Sequence, residues 1–433
     1  MSLGGSTIWA QETGSVETAS VAPITETVAA IDSGDNAWML VSSLLVLFMS
    51  LPGLALFYGG IVRSKNVLSV FGQIFGIAGI AALLWWAVGF SLVFSEGNAF
   101  IGGLSKAFFA GVDGNPETLG TVSENIFAIF QLTFAIITPA LIIGAVAERM
   151  KFAAVMAFVI VWLLAVYFPF AHMVWGGGYL ATTIKAIDFA GGTVVHMTSG
   201  FSALVLCIIL GKRKGHGSAF PPHSVVLTAI GTGILWVGWY GFNAGSAGAA
   251  DGIAGNAFAT TTFAAAIGGF SWGISEWIFK GKPSVLGISS GVIGGLVAIT
   301  PAAGFVSVGS SVLFGLLGGF VPFLAVTYLK KIFGYDDALD TFGIHGVGGA
   351  LGAILTGVFA DGKINGLVAE LNAEGVNLVA EQVKAVLVTA VWSVIATVVI
   401  AYAVKWTIGL RVSEEVEQAG LDVSEHGEDG YII

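Results

Sequence analysis

The sequence predicts an all-α membrane protein of eleven transmembrane helices: two inverted five-helix repeats plus one extra helix, N-terminus outside and C-terminus inside. Three observations predict it. Eleven apolar runs approach or exceed the length needed to cross ~30 Å of hydrocarbon. Basic residues crowd at alternate junctions between those runs. Finally, an aspartate stands eight residues before a histidine twice, in Asp188-Phe-Ala-Gly-Gly-Thr-Val-Val-His196 and again from Asp337 to His345.

Composition excludes a water-soluble globule. Of 433 residues, 56% are hydrophobic and only 10% are charged, against roughly 25% charged in a soluble chain. Glycine, at 62 residues, is about twice its usual ~7% share, which suits helices packed through small faces. The net charge of −10 describes the ends rather than the body. Seven of the 27 acidic residues lie between Glu414 and Asp429, and five precede Trp38. The one cysteine, Cys207, excludes an intrachain disulfide and reads as a packing residue inside an apolar run.

Residues 1–37 form a polar tail on the exterior, in which Leu3 to Gln11 is either the stub of a trimmed signal peptide or ordinary tail. The first repeat, about 38–211, holds runs over 38–62, 67–94, 122–147, 152–174 and 191–210. The second, about 223–359, holds runs over 225–243, 256–279, 285–302, 306–329 and 342–359. Runs eight and ten are the shortest and richest in glycine, so they are the weakest of the set. An eleventh span over 386–407 lies along the outside, and 411–433 forms a cytoplasmic tail. The segments 95–121 and 360–384 are exterior loops.

Charge sets the direction. One set of alternate junctions carries Arg63, Lys65, Arg149, Lys151, Lys212, Arg213, Lys214, Lys280, Lys282, Lys330, Lys331, Lys405 and Arg411. The opposite set carries only Lys106, Lys185, Lys363 and Lys384. The positive-inside rule puts the richer set in the cytoplasm. Two halves of five spans each, joined in sequence, must then be inverted, and substrate passes at their interface near the midplane.

Ionisable residues inside a bilayer cost about 2.5 kcal/mol and upward, so they are functional candidates by default. His196 and His345 come first. A neutral imidazole donates from one nitrogen and accepts at the other, so two adjoining imidazoles share a proton and line a dry passage. A metal site is not expected, because two nitrogens fall short of the three or four ligands zinc takes. Asp188 caps the helix that begins at Gly191, draws a cation to the outer mouth by its charge, or does both; a structural and electrostatic role is favoured over direct ligation. Asp337 caps the helix of His345 likewise.

Aromatic residues form the next layer: Phe130 and Phe134 one turn apart, Trp175 before Gly176-Gly-Gly178, and Trp239 to Ser246. An indole face beside a hydroxyl suits a small cation. Each aromatic taken alone reads equally as core or interface belt. No phosphate loop, H-E-x-x-H or G-x-S-x-G is present, and no exposed basic face serves nucleic acid. No cofactor is implied.

Six segments carry a resemblance. They are Pro52 to Gly60 with Lys65-Asn-Val-Leu-Ser69, Ala171 to Gly178, Asp188 to His196, Gly241 to Gly248, Thr300 to Gly304, and Phe342 to Gly348. The tail adds Gly409-Leu-Arg411, Gly420-Leu-Asp422 and His426-Gly-Glu428. Together they resemble bacterial ammonium transporters of the Amt/Mep/Rh family, Amt branch, from about residue 38 to Tyr431.

The resemblance implies transport of ammonium or ammonia, with methylammonium as a substrate analogue, across the cell (inner) membrane, without enzymatic activity. It implies Trp175 and Ser246 at an outer recruitment site, with Phe134 on its floor, and Asp188 is counted among the recruitment residues. Phe134 and Phe242 would form a gate, and His196 and His345 the pore. It further implies a homotrimer with one pore per subunit. In such proteins the tail, here Gly409, Arg411, Gly420, Asp422 and His426, docks on the pore mouths, where PII-type signal proteins act. Two other readings stay open: an ammonium sensor signalling to a cytoplasmic partner, and an Rh-like channel for neutral ammonia.

Overall fold

The computed structural model describes residues 30–112, 118–218 and 220–431. Most of the expected exterior tail, including the candidate signal stub at Leu3 to Gln11, lies outside them. The architecture is a bundle of long helices: α1 Ser33–Ile61, α2 Ser64–Phe94, α3 Glu124–Val146, α4 Phe152–Ile184, α5 Gly192–Leu210 and α6 Val225–Gly245. After α7 Gly252–Lys280 and α8 Val285–Ile299 come α9 Val308–Phe333, α10 Phe342–Phe359 and α11 Leu378–Thr407. A two-stranded hairpin, Thr118–Leu119 with Val122–Ser123, precedes α3.

Among the described residues, nine of these helices are long and apolar enough to cross a membrane, which makes this a multi-pass all-helical membrane protein. The two outside that set are α7 and α8. Helix α8 has only 15 residues, about 22 Å at 1.5 Å per residue. Helix α7 is long, but it carries Asn256, Thr260, Thr261, Thr262, Ser271, Ser275 and Glu276 among its 29 residues. The tenth run, weak by sequence, makes a helix of 18 residues that qualifies. Helix α11 starts at Leu378, eight residues before the expected limit, because Asn377 caps it by accepting from Ala380 N at 3.2 Å.

Local chemistry explains most helix ends. Asp32, Ser224, Asp251, Ser284 and Ser307 each accept a hydrogen bond from the first turn of the helix that follows, satisfying donors with no partner inside the helix. Pro52 removes one donor within α1, and the chain there widens into a looser turn over Met49–Leu54 rather than breaking.

Glycine governs the crossing that matters most for the site. A Cβ on Gly200 of α5 would lie 2.2 Å from Gly346 N of α10. Only two hydrogen side chains allow backbones to approach so closely. Gly200 stands one turn beyond His196, and Gly346 directly follows His345, so this contact brings the two imidazoles together.

Candidate functional site

The entry to α5 shows how residue type builds the site. Gly191 turns the chain at φ 110°, a conformation that favours glycine. The Asp188 carboxylate then faces four backbone donors. Its Oδ1 accepts from Gly191 N at 2.8 Å and Gly192 N at 2.7 Å; its Oδ2 accepts from Thr193 N at 2.7 Å, Thr193 Oγ1 at 2.5 Å and Val194 N at 3.3 Å. The Asp188 carbonyl holds the Trp175 indole, which donates to it at 3.0 Å. A single residue therefore fixes both the start of α5 and the orientation of Trp175.

Trp175 and Ser246 line one cavity of about 320 Å³, with Phe130, Gln131, Phe134 and Phe189 among its other walls. Ser246 Oγ donates to the Phe242 carbonyl at 2.8 Å, so its lone pairs remain to accept from a donor in the cavity. Asp188 does not line this cavity and is only 8% exposed. Its place is behind the wall, as a cap, rather than in the wall as part of a recruitment group.

Below the cavity the Phe134 and Phe242 rings stack at 4.3 Å between centroids. Both are buried. Phe134 also meets Trp175 edge-on at 5.9 Å, and Phe242 lies parallel to the His196 ring at 6.0 Å. Past the rings the remaining space is about 10 Å³, lined by Tyr58, Ile137, Leu141, Trp239 and the two histidines. That is room for about one water.

His196 and His345 meet through their Nδ1 atoms at 3.2 Å, and they are 1% and 4% exposed. His196 Nε2 lies 3.3 Å from Thr300 Oγ1. Thr300 gives its own proton to the Leu296 carbonyl at 2.7 Å and accepts from Trp239 Nε1 at 2.9 Å. Its remaining lone pair can only accept, so the network assigns His196 Nε2 as donor, His196 Nδ1 as acceptor and His345 Nδ1 as donor. His345 Nε2 is left as a free acceptor, with no protein partner among the described residues.

Asp337 sits at the start of α10, 1% exposed, with Oδ2 accepting from Phe342 N at 2.7 Å. Beside it lies a buried ionic cluster. Arg213 makes a forked pair with Asp336, at 3.0 Å from Nε and 2.9 Å from Nη2, and reaches Glu148 at 3.2 Å. Arg63 closes on Glu148 at 3.0 Å. Burial pushes the carboxyls of Asp336 and Glu148 upward, but these guanidinium groups win and hold both below their ordinary values.

The tail closes over the same face. Arg411 donates to Glu417 at 2.7 Å and to the carbonyls of Leu210 and Lys212 at 3.1 and 2.7 Å. Asp422 accepts from Leu68 N and Ser69 N at 3.0 and 2.8 Å, capping the first turns of α2. Glu425 accepts from Phe152 N at 2.9 Å, capping α4. His426 packs edge-on against Phe152 at 5.2 Å. Gly409 and Gly420 turn the chain at φ 73° and 111°.

Sequence reasoning named both histidines, Phe130, Phe134, Trp175, Phe242 and Ser246, and the fold brings these together. It missed the hydrogen-bonding role of Thr300 and the partners inside the ionic cluster. A hydroxyl at the end of the short apolar α8 was the available signal for Thr300. Among the described residues, no group of three metal-ligating side chains converges.

The family described as Ammonium Transporter Family matches residues 37–431. An ammonium transporter of Bacillus subtilis (strain 168) is 48% identical over 400 residues, 92% of this chain and 98% of that protein. The crystal structure of Saccharomyces cerevisiae Mep2 is similar with a TM-score of 0.80 at 36% identity, covering 90% of this chain and 92% of that one. A solved structure described as "Sensor Amt Protein" is similar with a TM-score of 0.83 at 29% identity, covering 91% and 98%.

Proposed function

The chain belongs to the ammonium transporter family, a family of transporters rather than enzymes, and from that premise we propose that it conducts ammonium by taking the cation apart. The cation pauses between the Trp175 indole and the Ser246 hydroxyl, drawn by the ring quadrupole and the free lone pairs. It gives up its proton near the Phe134/Phe242 gate to the imidazole pair beneath. Ammonia then passes His196 and His345, while the proton crosses on the imidazole pair.

Physical chemistry favours this order. A full charge in an apolar conduit is costly, and stacked phenyl rings above a space for about one water offer it no hydration shell. Ammonium escapes the penalty by shedding a proton. Potassium has none to shed and stalls. Asp188 acts here as a positioning residue, through its cap on α5 and its hold on Trp175.

One observation carries the proposal: the 3.2 Å contact between two buried imidazoles directly beneath the stacked rings. The test is methylammonium flux and potassium exclusion in vesicles holding His196→Leu/His345→Leu. The paired substitution is expected to alter both the flux and the charge it carries. Unchanged flux with unchanged exclusion refutes the proposal.

The wider reading is an eleven-span transporter unit over 38–410, in two inverted repeats, with its N-terminus outside and a regulatory tail over 411–433. It forms a homotrimer in the cell (inner) membrane, with one pore per subunit. The docked tail and the Lys212–His223 loop offer a face to a PII-type signal protein. The structural likeness to a sensor supports a second reading, in which the same pore reports ammonium to a cytoplasmic partner. Current recorded during an ammonium pulse separates electrogenic transport from a neutral ammonia channel, and flux per protein separates transport from sensing.

A further inference from the structure

The two aspartates of the repeated spacing do unequal work. Asp188 engages both carboxylate oxygens, with bonds from Gly191, Gly192, Thr193 and Val194. Asp337, at the corresponding place in the other half, receives Phe342 N on Oδ2, while Oδ1 is buried with no hydrogen-bond partner among the described residues. A cap needs only one oxygen. A buried acceptor without a donor is costly, and such groups call for an explanation beyond stability.

The surroundings point to proton chemistry. The titratable and charged groups around Asp337 are Lys330 in the last turn of α9, Asp340 and Tyr335 in the connection to α10, Cys207 of α5 and Tyr58 of α1. Lys330 does not neutralise it by contact, since its Nζ is spent on the Asp337 carbonyl at 2.6 Å and on Asp340 Oδ1 at 2.7 Å. Tyr58 lines the same constriction as both histidines. Its hydroxyl donates to the Leu141 carbonyl at 3.1 Å, and the Thr341 hydroxyl crowds the same spot above Gly144. Tyr58 thus joins the constriction to Thr341, which stands directly before the first turn of α10.

We propose that Asp337 is the cytoplasmic proton station of the pore, taking from the imidazole pair, by way of the Tyr58 and Thr341 hydroxyls, the proton that ammonium leaves there. This rests on the proposed deprotonation of ammonium. The step balances: the imidazolium loses one proton and returns to neutral, the carboxylate gains it and becomes the acid, and the acid releases it to the cytoplasm. Burial, working against the nearby Lys330 charge, pushes the Asp337 carboxyl up to about 6, within reach of an imidazolium donor.

The test records current and methylammonium uptake together in proteoliposomes of the full-length protein, from about pH 5 to 8. Asp337→Asn keeps an oxygen for the cap but cannot titrate. It is expected to cut the charge carried per methylammonium by about tenfold or more and to remove an inflection near pH 6; Asp337→Glu is expected to restore both. Infrared difference spectra of the wild type on adding ammonium are expected to show a carboxyl band that Asp337→Asn lacks. An unaltered charge-to-flux ratio and pH profile in Asp337→Asn, with a charge-moving wild type, overturns this inference alone. A wild type that moves no charge overturns the deprotonation reading together with it.

Discussion

Thr300 decides which way the His196 ring points its protons. Its hydroxyl donates to the Leu296 carbonyl and accepts from Trp239, leaving only acceptance for His196 Nε2 at 3.3 Å. The shared Nδ1 contact is thereby ordered, His345 donating and His196 accepting, and the open acceptor of the pair is His345 Nε2. The polarity of the pair is set by a helix that carries neither histidine.

Thr300→Val keeps the shape and removes the acceptor. Both the Trp239 indole and His196 then lose a partner, at about 1–3 kcal/mol for each group left unsatisfied. Methylammonium uptake is expected to fall about tenfold or more, while Thr300→Ser, which retains the hydroxyl, stays near wild type. Uptake per folded protein, measured for both variants, checks this. Equal uptake in Thr300→Val defeats the ordering argument.

The crossing of α5 and α10 makes a second prediction. A Cβ at position 200 meets Gly346 N at 2.2 Å and Gly346 Cα at 2.4 Å, both backbone atoms that cannot swing aside. Gly200→Ala is expected to cost about 1–3 kcal/mol of stability through overpacking and to separate the imidazoles, lowering uptake more than thermal stability. A crystal structure of the variant with the Nδ1 contact still at hydrogen-bond distance contradicts it.

How far the sequence could foretell this site follows from what kind of signal each part leaves. The histidines were legible because a repeated spacing and the cost of burying them are both properties of the linear chain. The vestibule was legible in part, because Trp175 and Ser246 lie in recognisable segments, whereas Gln131 carries no such mark. Thr300 was not, because its role depends on α8 reaching beside α5, and the apolar run over 285–302 carries no mark of which helix its end will meet. Arg213 and Arg63 counted in the sequence only as cytoplasmic charge. That Glu148 and Asp336 pair with them inside the protein is a matter of packing between segments far apart in sequence.

The ionic cluster gives a pH-dependent prediction. Burial opposes ionisation of Asp336, but Arg213 and Arg149 hold its carboxyl well below the ordinary value. A carboxylate lowered by folding contributes stability above its unfolded pKa of about 4 and loses it as pH falls through the folded value. Asp336→Asn breaks a buried pair and is expected to cost about 3–5 kcal/mol at neutral pH. Thermal unfolding in detergent should show the variant well below wild type at pH 7, the gap narrowing below pH about 4. A gap that widens in acid contradicts the assignment.

Asp337 makes the opposite prediction, since its carboxyl is raised rather than lowered. Burial favours the neutral acid, with Lys330 only partly offsetting it, up to about 6. A carboxyl raised by folding helps the folded state fully below its unfolded pKa of about 4, and that help is lost as pH climbs through 6. From about 4 to 6 the difference is about 3 kcal/mol. At pH 7.5 Asp337 is therefore an ionised group with an unpartnered oxygen, and the folded protein carries that cost. Asp337→Asn keeps the bond from Phe342 N and removes the charge, so it is expected to unfold at a higher temperature than wild type at pH 7.5 and to lose the advantage near pH 4. Higher stability with lower proton flux is the pattern of a group retained for transport at the expense of the fold. A variant less stable than wild type at every pH would make Asp337 a structural cap and nothing more.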